Sequence, residues 1–184
     1  MTACRFIIAI LVLAAFTHGA SAQTSIEPDI KLGEFIPAST PQPAPEMSFD
    51  GLDGKPVALA DFKGKLVILN VWATWCQPCL KEMPSLQKLE ARLAPDLIVL
   101  AVSEDRGGAE VVKPFLDKLD LSKLTIALDP KSAAIHALHA RGLPTSLVVD
   151  LDGKVLGKVE GAADWDSDQM VATLKELMPV SSGR

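Results

Sequence analysis

Short, nearly continuous runs of apolar residues recur along the chain, separated by segments with helical spacing. The central run, Leu66 to Trp72, contains no charged residue and predicts a fully buried strand. Turn-forming residues lie between the runs, as is typical of strands that end in loops. The strands predicted in this way span residues 66–72, 97–102, 125–128, 146–149 and 155–159.

The segments between these strands place apolar side chains on one helical face. From Cys76 to Leu93, leucines at 86, 89 and 93 recur at spacings of three and four residues, which predicts an amphipathic helix. Further helices are predicted at 111–119, 132–140 and 167–178, the last with Asp166 or Ser167 as its N-cap. Strands that alternate with helices and end in a hairpin and a helix predict an α/β fold, a three-layer α/β/α sandwich with a mixed central sheet.

Turn signals and prolines divide the rest of the chain. The loop Asp50–Lys55 contains two glycines between apolar segments and predicts an N-terminal β-hairpin extension. Asp152-Gly153 predicts the turn of the closing hairpin. Residues 23–45 contain five prolines, so we expect an extended linker there and a folded domain at residues 46–180.

Residues 1–22 have the pattern of an export signal. Arg5 is followed by the apolar run Phe6–Phe16 and by Ala20-Ser21-Ala22, a small-residue cleavage site. The apolar run is shorter than the roughly 20 residues of a membrane span. We therefore expect cleavage after Ala22, and an uncleaved N-terminal membrane anchor is the alternative.

The overall charge argues against one class of partner. The chain has a formal net charge of −5 and no basic cluster, so we expect no nucleic-acid binding.

Cys76 and Cys79, separated by two residues at a predicted strand-to-helix junction, are the candidate chemical centre. This spacing and position are typical of thiol–disulfide redox proteins. A structural disulfide is the alternative in an exported protein, but so short a loop removes little chain entropy. Unpaired N–H groups at a helix N-terminus favour a thiolate, so we expect Cys76 to be the nucleophile and the more buried Cys79 to be the resolving thiol.

The segment Trp72–Cys79, followed by Pro84, resembles a thioredoxin-fold active site, and Arg141–Thr145 resembles the cis-proline loop of that fold. The resemblance covers residues 45–178. Within the superfamily the chain is most similar to the exported TlpA/ResA/CcmG group, and the ending Gly161–Trp165 leans toward the TlpA branch. The residues that resemble this group in particular are Asn70, Lys81–Pro84 and Asp150–Lys154.

The resemblance implies roles for further residues. Asn70 occupies the strand position where ordinary thioredoxins have a buried carboxylate, and Glu82 is implied as the acid–base group that titrates with Cys79. A solvated helix carboxylate, paired with Lys81 or a neighbour, is the alternative for Glu82. Pro144 is implied to be cis.

Three residues are expected to contact the substrate: Trp75, Leu143 and Thr145. The backbone of Leu143 is implied to pair with an extended substrate segment as an added strand would. For Trp75 the alternative is a packing residue that also limits solvent access to the cysteines.

The resemblance implies a monomeric, periplasmic protein-disulfide reductase that acts in cytochrome c or oxidase copper-site maturation. Its implied substrates are apocytochrome c, the copper-site subunit of an oxidase or a copper chaperone. A membrane reductase of the DsbD/CcdA type is implied to re-reduce it. No cofactor is expected beyond the Cys76–Cys79 disulfide/dithiol.

Three alternatives use the same thiols. A disulfide-forming oxidase differs only in reduction potential. A Cu(I)-binding chaperone could add the thioether of Met83 as a ligand, although no Met- or His-rich tract is present. A thiol peroxidase would have its peroxidatic cysteine in a Thr-x-x-Cys motif. Here Thr74 is only two residues before Cys76, and the resolving Cys79 is close by, so disulfide exchange fits better.

Overall fold

A computed structural model describes residues 32–121 and 123–178 of the 184-residue chain. The expected signal segment 1–22 lies outside the described residues, as does the first part of the expected linker. In the described part, no helix is long and apolar enough to cross a membrane.

In the described residues, eight strands form one mixed sheet with four α-helices around it. The strands are β1 Phe35–Pro43, β2 Ser48–Gly51, β3 Pro56–Ala58, β4 Leu66–Trp72, β5 Leu97–Ser103, β6 Thr125–Leu128, β7 Thr145–Val149 and β8 Lys154–Glu160. The helices are α1 Gln77–Leu93, α2 Ala109–Leu119, α3 Ala133–Ala137 and α4 Asp168–Leu177. A 3₁₀ turn at Leu59–Phe62 joins β3 to β4.

The sheet order is β1-β8-β7-β4-β5-β6-β2-β3. Strands β4, β5 and β6 are parallel, and the remaining neighbours pair antiparallel. All seven residues of β4 are buried, which explains why its apolar run has no polar alternation. The mixed sheet and the N-terminal hairpin β2–β3 are confirmed.

Helices cover both faces of the sheet. One face packs Ile68 of β4 against Leu86 of α1, Leu116 of α2 and Leu174 of α4. The other face buries Leu69 with Ala134 of α3 and the 3₁₀ turn. This arrangement is the predicted three-layer α/β/α sandwich.

The expectation of a linker at residues 23–45 is wrong for its second half, because residues 35–43 form β1. Among the described strands, this one lies at the sheet edge and pairs with β8 alone, from Phe35↔Val159 to Pro43↔Lys154, with an irregularity after Pro37. Prolines are tolerated in such a strand because one of its sides needs no ladder hydrogen bonds. The folded unit therefore begins before residue 46.

Helix α3 is shorter than the expected 132–140. Ser132 and His139 adopt left-handed backbone conformations, with φ of 58° and 48°, and these residues bound the helical turn. The predicted N-cap of α4 is confirmed, since the Ser167 hydroxyl accepts a hydrogen bond from the backbone N–H of Met170.

Candidate active site

Cys76 and Cys79 form a disulfide at the start of α1. Cys76 is the N-cap residue, and its Sγ accepts a hydrogen bond from the backbone N–H of Cys79 at 3.3 Å. Pro78 lies in the first turn, where its missing N–H leaves no bond unmade. Cys76 is 5% exposed and Cys79 fully buried, so the expected order of burial is confirmed.

The loop before the cysteines is fixed to the end of β5 by Asp105. Its carboxylate accepts hydrogen bonds from the backbone N–H of Thr74 at 2.9 Å and from the Thr74 hydroxyl at 2.7 Å. Ser103 donates a further bond to the same carboxylate at 2.8 Å. Asp105 has no signal in the sequence, because nothing in the spacing of residues 74 and 105 indicates that they meet.

Trp75 projects into solvent beside this disulfide, with 68% of its surface exposed. A large aromatic side chain left open at a reactive centre is available to contact a partner protein. Trp75 is therefore not a core-packing residue, which was the alternative interpretation.

Glu82 lies one helical turn beyond Cys79 and is only 2% exposed. Its Oε1 accepts a hydrogen bond from Asn70 Nδ2 at 2.8 Å, and its Oε2 accepts from the backbone N–H of Ala163 and from Trp165 Nε1, both at 3.0 Å. The alternative of a solvated carboxylate paired with Lys81 is therefore wrong.

Burial raises the pKa of the Glu82 carboxyl above its ordinary value, and the three hydrogen bonds oppose that rise. The three donors are all neutral N–H groups, so hydrogen bonds rather than an ion pair stabilise the anion here. A carboxyl with a raised pKa, next to a buried thiol, is suited to proton transfer.

Asn70 connects this carboxyl to the sheet. Its Nδ2 also donates to Ser146 Oγ at 2.9 Å, and the two residues are directly paired between β4 and β7. Its Oδ1 is buried without a hydrogen-bond partner in the described part of the chain. At the strand position where ordinary thioredoxins have a buried carboxylate, this chain therefore has the amide of Asn70, which donates a hydrogen bond to the Glu82 carboxylate of α1.

Pro144 lies in the loop before β7, and the Leu143–Pro144 bond is cis, as expected. The pairing of Val71 with Thr145 places Pro144 beside the end of β4, where the loop to the disulfide leaves the sheet. The Pro144 carbonyl accepts a hydrogen bond from Gly161 N–H at 2.9 Å. The strand-end loop and the cysteine loop therefore occupy the same end of the sheet.

A pocket of about 240 Å³ adjoins this loop. Leu143 lines it together with Leu32, Arg141 and Glu160. Thr145 also borders the pocket but is 3% exposed, and its hydroxyl donates to the Gly142 carbonyl at 2.8 Å. The Thr145 side chain therefore stabilises the loop, which does not fit the expectation that it contacts substrate.

A second cavity lies away from the disulfide, and the candidate copper ligand is enclosed in the core. A larger cavity of about 510 Å³ lies near the start of β4 and the end of β7, lined by residues that include Met47, Phe62 and Val149. Met83, the candidate thioether ligand for copper, is fully buried in the core. Within residues 32–121 and 123–178, no three His, Cys, Asp or Glu side chains gather in a metal-binding arrangement.

Comparisons with known proteins agree with this geometry. The model of the AhpC/TSA family matches residues 40–157. The thiol-disulfide oxidoreductase ResA of Bacillus thuringiensis subsp. konkukian is 36% identical over 137 residues, which cover 74% of this chain and 77% of ResA.

Solved structures give the same picture. A thiol:disulfide interchange protein described as DsbE from Chlorobium tepidum has a TM-score of 0.69 at 29% identity, covering 76% of this chain and 97% of its own. The exposed lipoprotein thioredoxin of Streptococcus pneumoniae has a TM-score of 0.62 at 30% identity, covering 72% of this chain and 100% of its own.

The expected thioredoxin fold is therefore confirmed, whereas the leaning toward the TlpA branch stays a prediction. One family assignment is supported by the cysteine pair, by the cis-proline loop and by the length of chain that aligns with these relatives. The chain belongs to the AhpC/TSA family and, within it, to the ResA-like thiol-disulfide oxidoreductases.

Proposed function

We propose that this protein is an exported reductant of specific protein disulfides and acts through Cys76 and Cys79 during the maturation of cytochrome c or of an oxidase copper site. Its thiol-disulfide exchange follows from its family; the reducing direction, the compartment and the substrates are the proposal.

The buried Glu82 carboxyl is the observation that supports the reducing direction. Glu82 and Cys79 are three residues apart on α1, a spacing that brings Cβ atoms to within about 5–6 Å. When the Glu82 carboxyl is ionised, its charge on the same helical turn disfavours a second negative charge, so it raises the pKa of the Cys79 thiol. Strong oxidants of this class have a stabilised reduced form, and an anion beside the dithiol has the opposite effect.

The exchange would proceed in two displacements. The Cys76 thiolate attacks one sulfur of the partner's disulfide, that bond breaks, and the first partner thiolate leaves and takes up a proton. Cys79 then gives its proton to the Glu82 carboxylate and attacks the Cys76 sulfur; the bond between Cys76 and the partner breaks and releases the second partner thiolate. That thiolate takes up a proton, and the protonated Glu82 carboxyl returns one to the solvent. The partner gains two electrons and two protons, and the Cys76–Cys79 disulfide is the oxidised product.

The surface around the disulfide supports a protein substrate. Trp75 offers an exposed aromatic side chain, and Leu143 lines the pocket beside the cis-proline loop. An extended segment containing the disulfide could pair with the backbone of Leu143 while one side chain enters the pocket.

The leader at residues 1–22 and the exposed lipoprotein among the similar structures support an extracytoplasmic location. In the oxidising periplasm the disulfide form must be reduced again, which supports a membrane reductase of the DsbD/CcdA type as the second partner. Apocytochrome c, an oxidase copper-site subunit and a copper chaperone are the substrates we propose to test.

The reduction potential tests the direction. We expect equilibration with glutathione to give a value near that of thioredoxin, about −270 mV, because an anion close to the dithiol disfavours its thiolate. A value near that of DsbA, about −120 mV, would contradict the proposal and favour the disulfide-forming oxidase. The Glu82→Gln variant is the matched control, and its potential should be less negative because the charge is removed.

A further inference from the structure

Trp165 follows β8 and is fully buried, although it comes from a loop at the far end of the chain from α1. It belongs to the same core cluster as Cys79 and Met83. Its indole Nε1–H donates to Glu82 Oε2 at 3.0 Å. The side chain therefore packs against the redox helix and also makes a polar contact with the buried carboxyl.

The backbone around Trp165 makes further bonds to the same turn of α1. The Ala163 N–H donates to Glu82 Oε2 at 3.0 Å, and the Trp165 N–H donates to Ser85 Oγ at 3.2 Å. The Ser85 hydroxyl in turn donates to the Glu82 carbonyl at 2.7 Å. Segment 163–165 thus fixes both the side chain and the backbone of Glu82.

The chemistry of these contacts favours one protonation state. The Asn70 Nδ2–H, the Ala163 N–H and the Trp165 Nε1–H all donate to the carboxyl, and none of these three N–H groups can accept a hydrogen bond from its protonated form. Hydrogen bonds to the ionised form stabilise it against the cost of burial. Loss of one donor would leave a buried carboxylate with fewer partners and make the anion harder to form.

We propose that Trp165 is a positioning residue that holds the Glu82 carboxylate and thereby sets the pH range in which Cys79 can be deprotonated for the second displacement. The inference rests on the proposed role of Glu82 in the exchange. Trp165 acts through Glu82 and takes no direct part in sulfur chemistry.

The chain supplies a matched control in Trp72. It is also fully buried and belongs to the same core cluster, but its indole N–H has no hydrogen-bond partner among the described residues. Trp72→Phe and Trp165→Phe remove the same atoms from the core, and only the second removes a donor from Glu82.

The test compares two titrations in the full-length reduced chain. The first follows the side-chain carboxyl of Glu82 by ¹³C NMR, with Glu82→Gln identifying the signal. The second uses 5,5′-dithiobis(2-nitrobenzoate): Cys76 displaces one thionitrobenzoate, and attack by Cys79 on the resulting mixed disulfide displaces the other. The rate of the second release, measured against pH, reports the step in which Cys79 loses its proton.

In Trp165→Phe we expect two midpoints to move to higher pH: that of the Glu82 titration and that of the pH–rate profile for the second release. The second release at pH 7 should be about 10-fold slower, the effect of losing one hydrogen bond to a charged group. Trp72→Phe should keep both midpoints at the wild-type pH. An unchanged Glu82 midpoint in a folded Trp165→Phe protein would overturn the proposal, and so would a shifted Glu82 midpoint with an unchanged rate profile.

A measurement on the unmodified sequence covers the case in which Trp165→Phe does not fold. The ¹⁵N–¹H signal of the Trp165 indole should titrate together with Glu82 and lose this transition in Glu82→Gln; an indole signal independent of Glu82 would overturn the proposal. Failure of the reductant proposal can be distinguished from failure of the Trp165 proposal. It would appear in the reduction potential of the wild-type protein, and both pH titrations could still be interpreted.

Discussion

At the scale of single residues, the buried carboxyl of Glu82 is the point at which distant parts of the chain meet. Its donors come from β4 and from the segment after β8, while Glu82 itself lies on α1 beside the disulfide. Burial raises its pKa and the donors counteract this effect, so its proton affinity depends on the surrounding fold. A solvent-exposed glutamate at the same sequence position would lack both the burial and these hydrogen bonds.

The raised pKa of Glu82 predicts how stability changes with pH. A carboxyl with a higher pKa in the folded than in the unfolded state binds more protons when folded, so it stabilises the fold below its unfolded pKa of about 4.3. That contribution is lost as the pH rises through the folded pKa. The difference in the free energy of unfolding, wild type minus Glu82→Gln, should therefore fall with rising pH, by at most about 1.4 kcal/mol per pH unit.

Urea unfolding of the oxidised proteins at several pH values between about 4 and 8 measures this difference. Burial also raises the pKa values of Glu90 and Glu104, but both residues are present in the two proteins and their contributions cancel. A difference that grows with pH would show that the fold stabilises the ionised Glu82 overall and would contradict the raised pKa.

At the scale of elements, β1 shows how a sheet edge accommodates a proline-rich strand. It pairs with β8 along a register that brings Pro37 opposite Gly157. A Cβ atom at Gly157 would lie 2.5 Å from the Ile36 carbonyl oxygen and 2.5 Å from the Phe35 ring. The absence of a side chain at this position therefore permits the close approach of β1.

Gly157→Ala should consequently weaken the β1–β8 pairing. The added methyl meets a backbone oxygen, so we expect a loss of about 1–3 kcal/mol in the free energy of unfolding, typical of an overpacked site. Hydrogen exchange should become faster in the amides of residues 35–43. Gly142→Ala is the matched control. Among the described residues, none apart from its chain neighbours lies within 4 Å of the added Cβ, so the effect should stay within about 0.5 kcal/mol. Equal effects of the two substitutions would refute this role of Gly157.

Sequence patterns predicted local structure well and long-range contacts poorly. The apolar run at β4, the spacing of leucines on α1 and the Asp152-Gly153 turn each depend on neighbouring residues, so their elements could be identified. Strand β1 was missed because its prolines indicate a linker, and only pairing with β8 makes it a strand. The glycine at 157 inside a predicted strand was the signal that another backbone approaches closely.

The active site likewise has features that the sequence predicts and features that depend on long-range contacts. The cysteine pair and the cis-proline loop are recognisable in short segments of sequence. The Glu82–Trp165 and Thr74–Asp105 contacts join residues 83 and 31 positions apart, and no local pattern specifies them. Sequence alone therefore suggested Glu82 as a candidate, whereas its burial and its donors depend on how the sheet brings the segments together.

At the scale of the whole molecule, the order of thiol attack follows from how the sandwich encloses the two sulfurs. Cys79 is fully buried, whereas Cys76, the N-cap of α1 next to the exposed Trp75, keeps 5% of its surface exposed. We therefore expect a protein disulfide to reach the sulfur of Cys76 and not that of Cys79. Cys76 should accordingly form the mixed disulfide with any partner.

Cys79→Ser should therefore accumulate a mixed disulfide with an oxidised peptide that contains the haem-attachment sequence C-x-x-C-H of a cytochrome c, since the second displacement is blocked. Cys76→Ser is the matched control and should trap little of the peptide, because its remaining thiol is enclosed in the core. Non-reducing electrophoresis and mass spectrometry quantify the adduct and identify its cysteine. Equal trapping by both variants would mean that Cys79 is accessible in solution, which would contradict its full burial in the core. Trapping by neither variant would contradict apocytochrome c as a substrate and direct the same assay to the copper-site proteins.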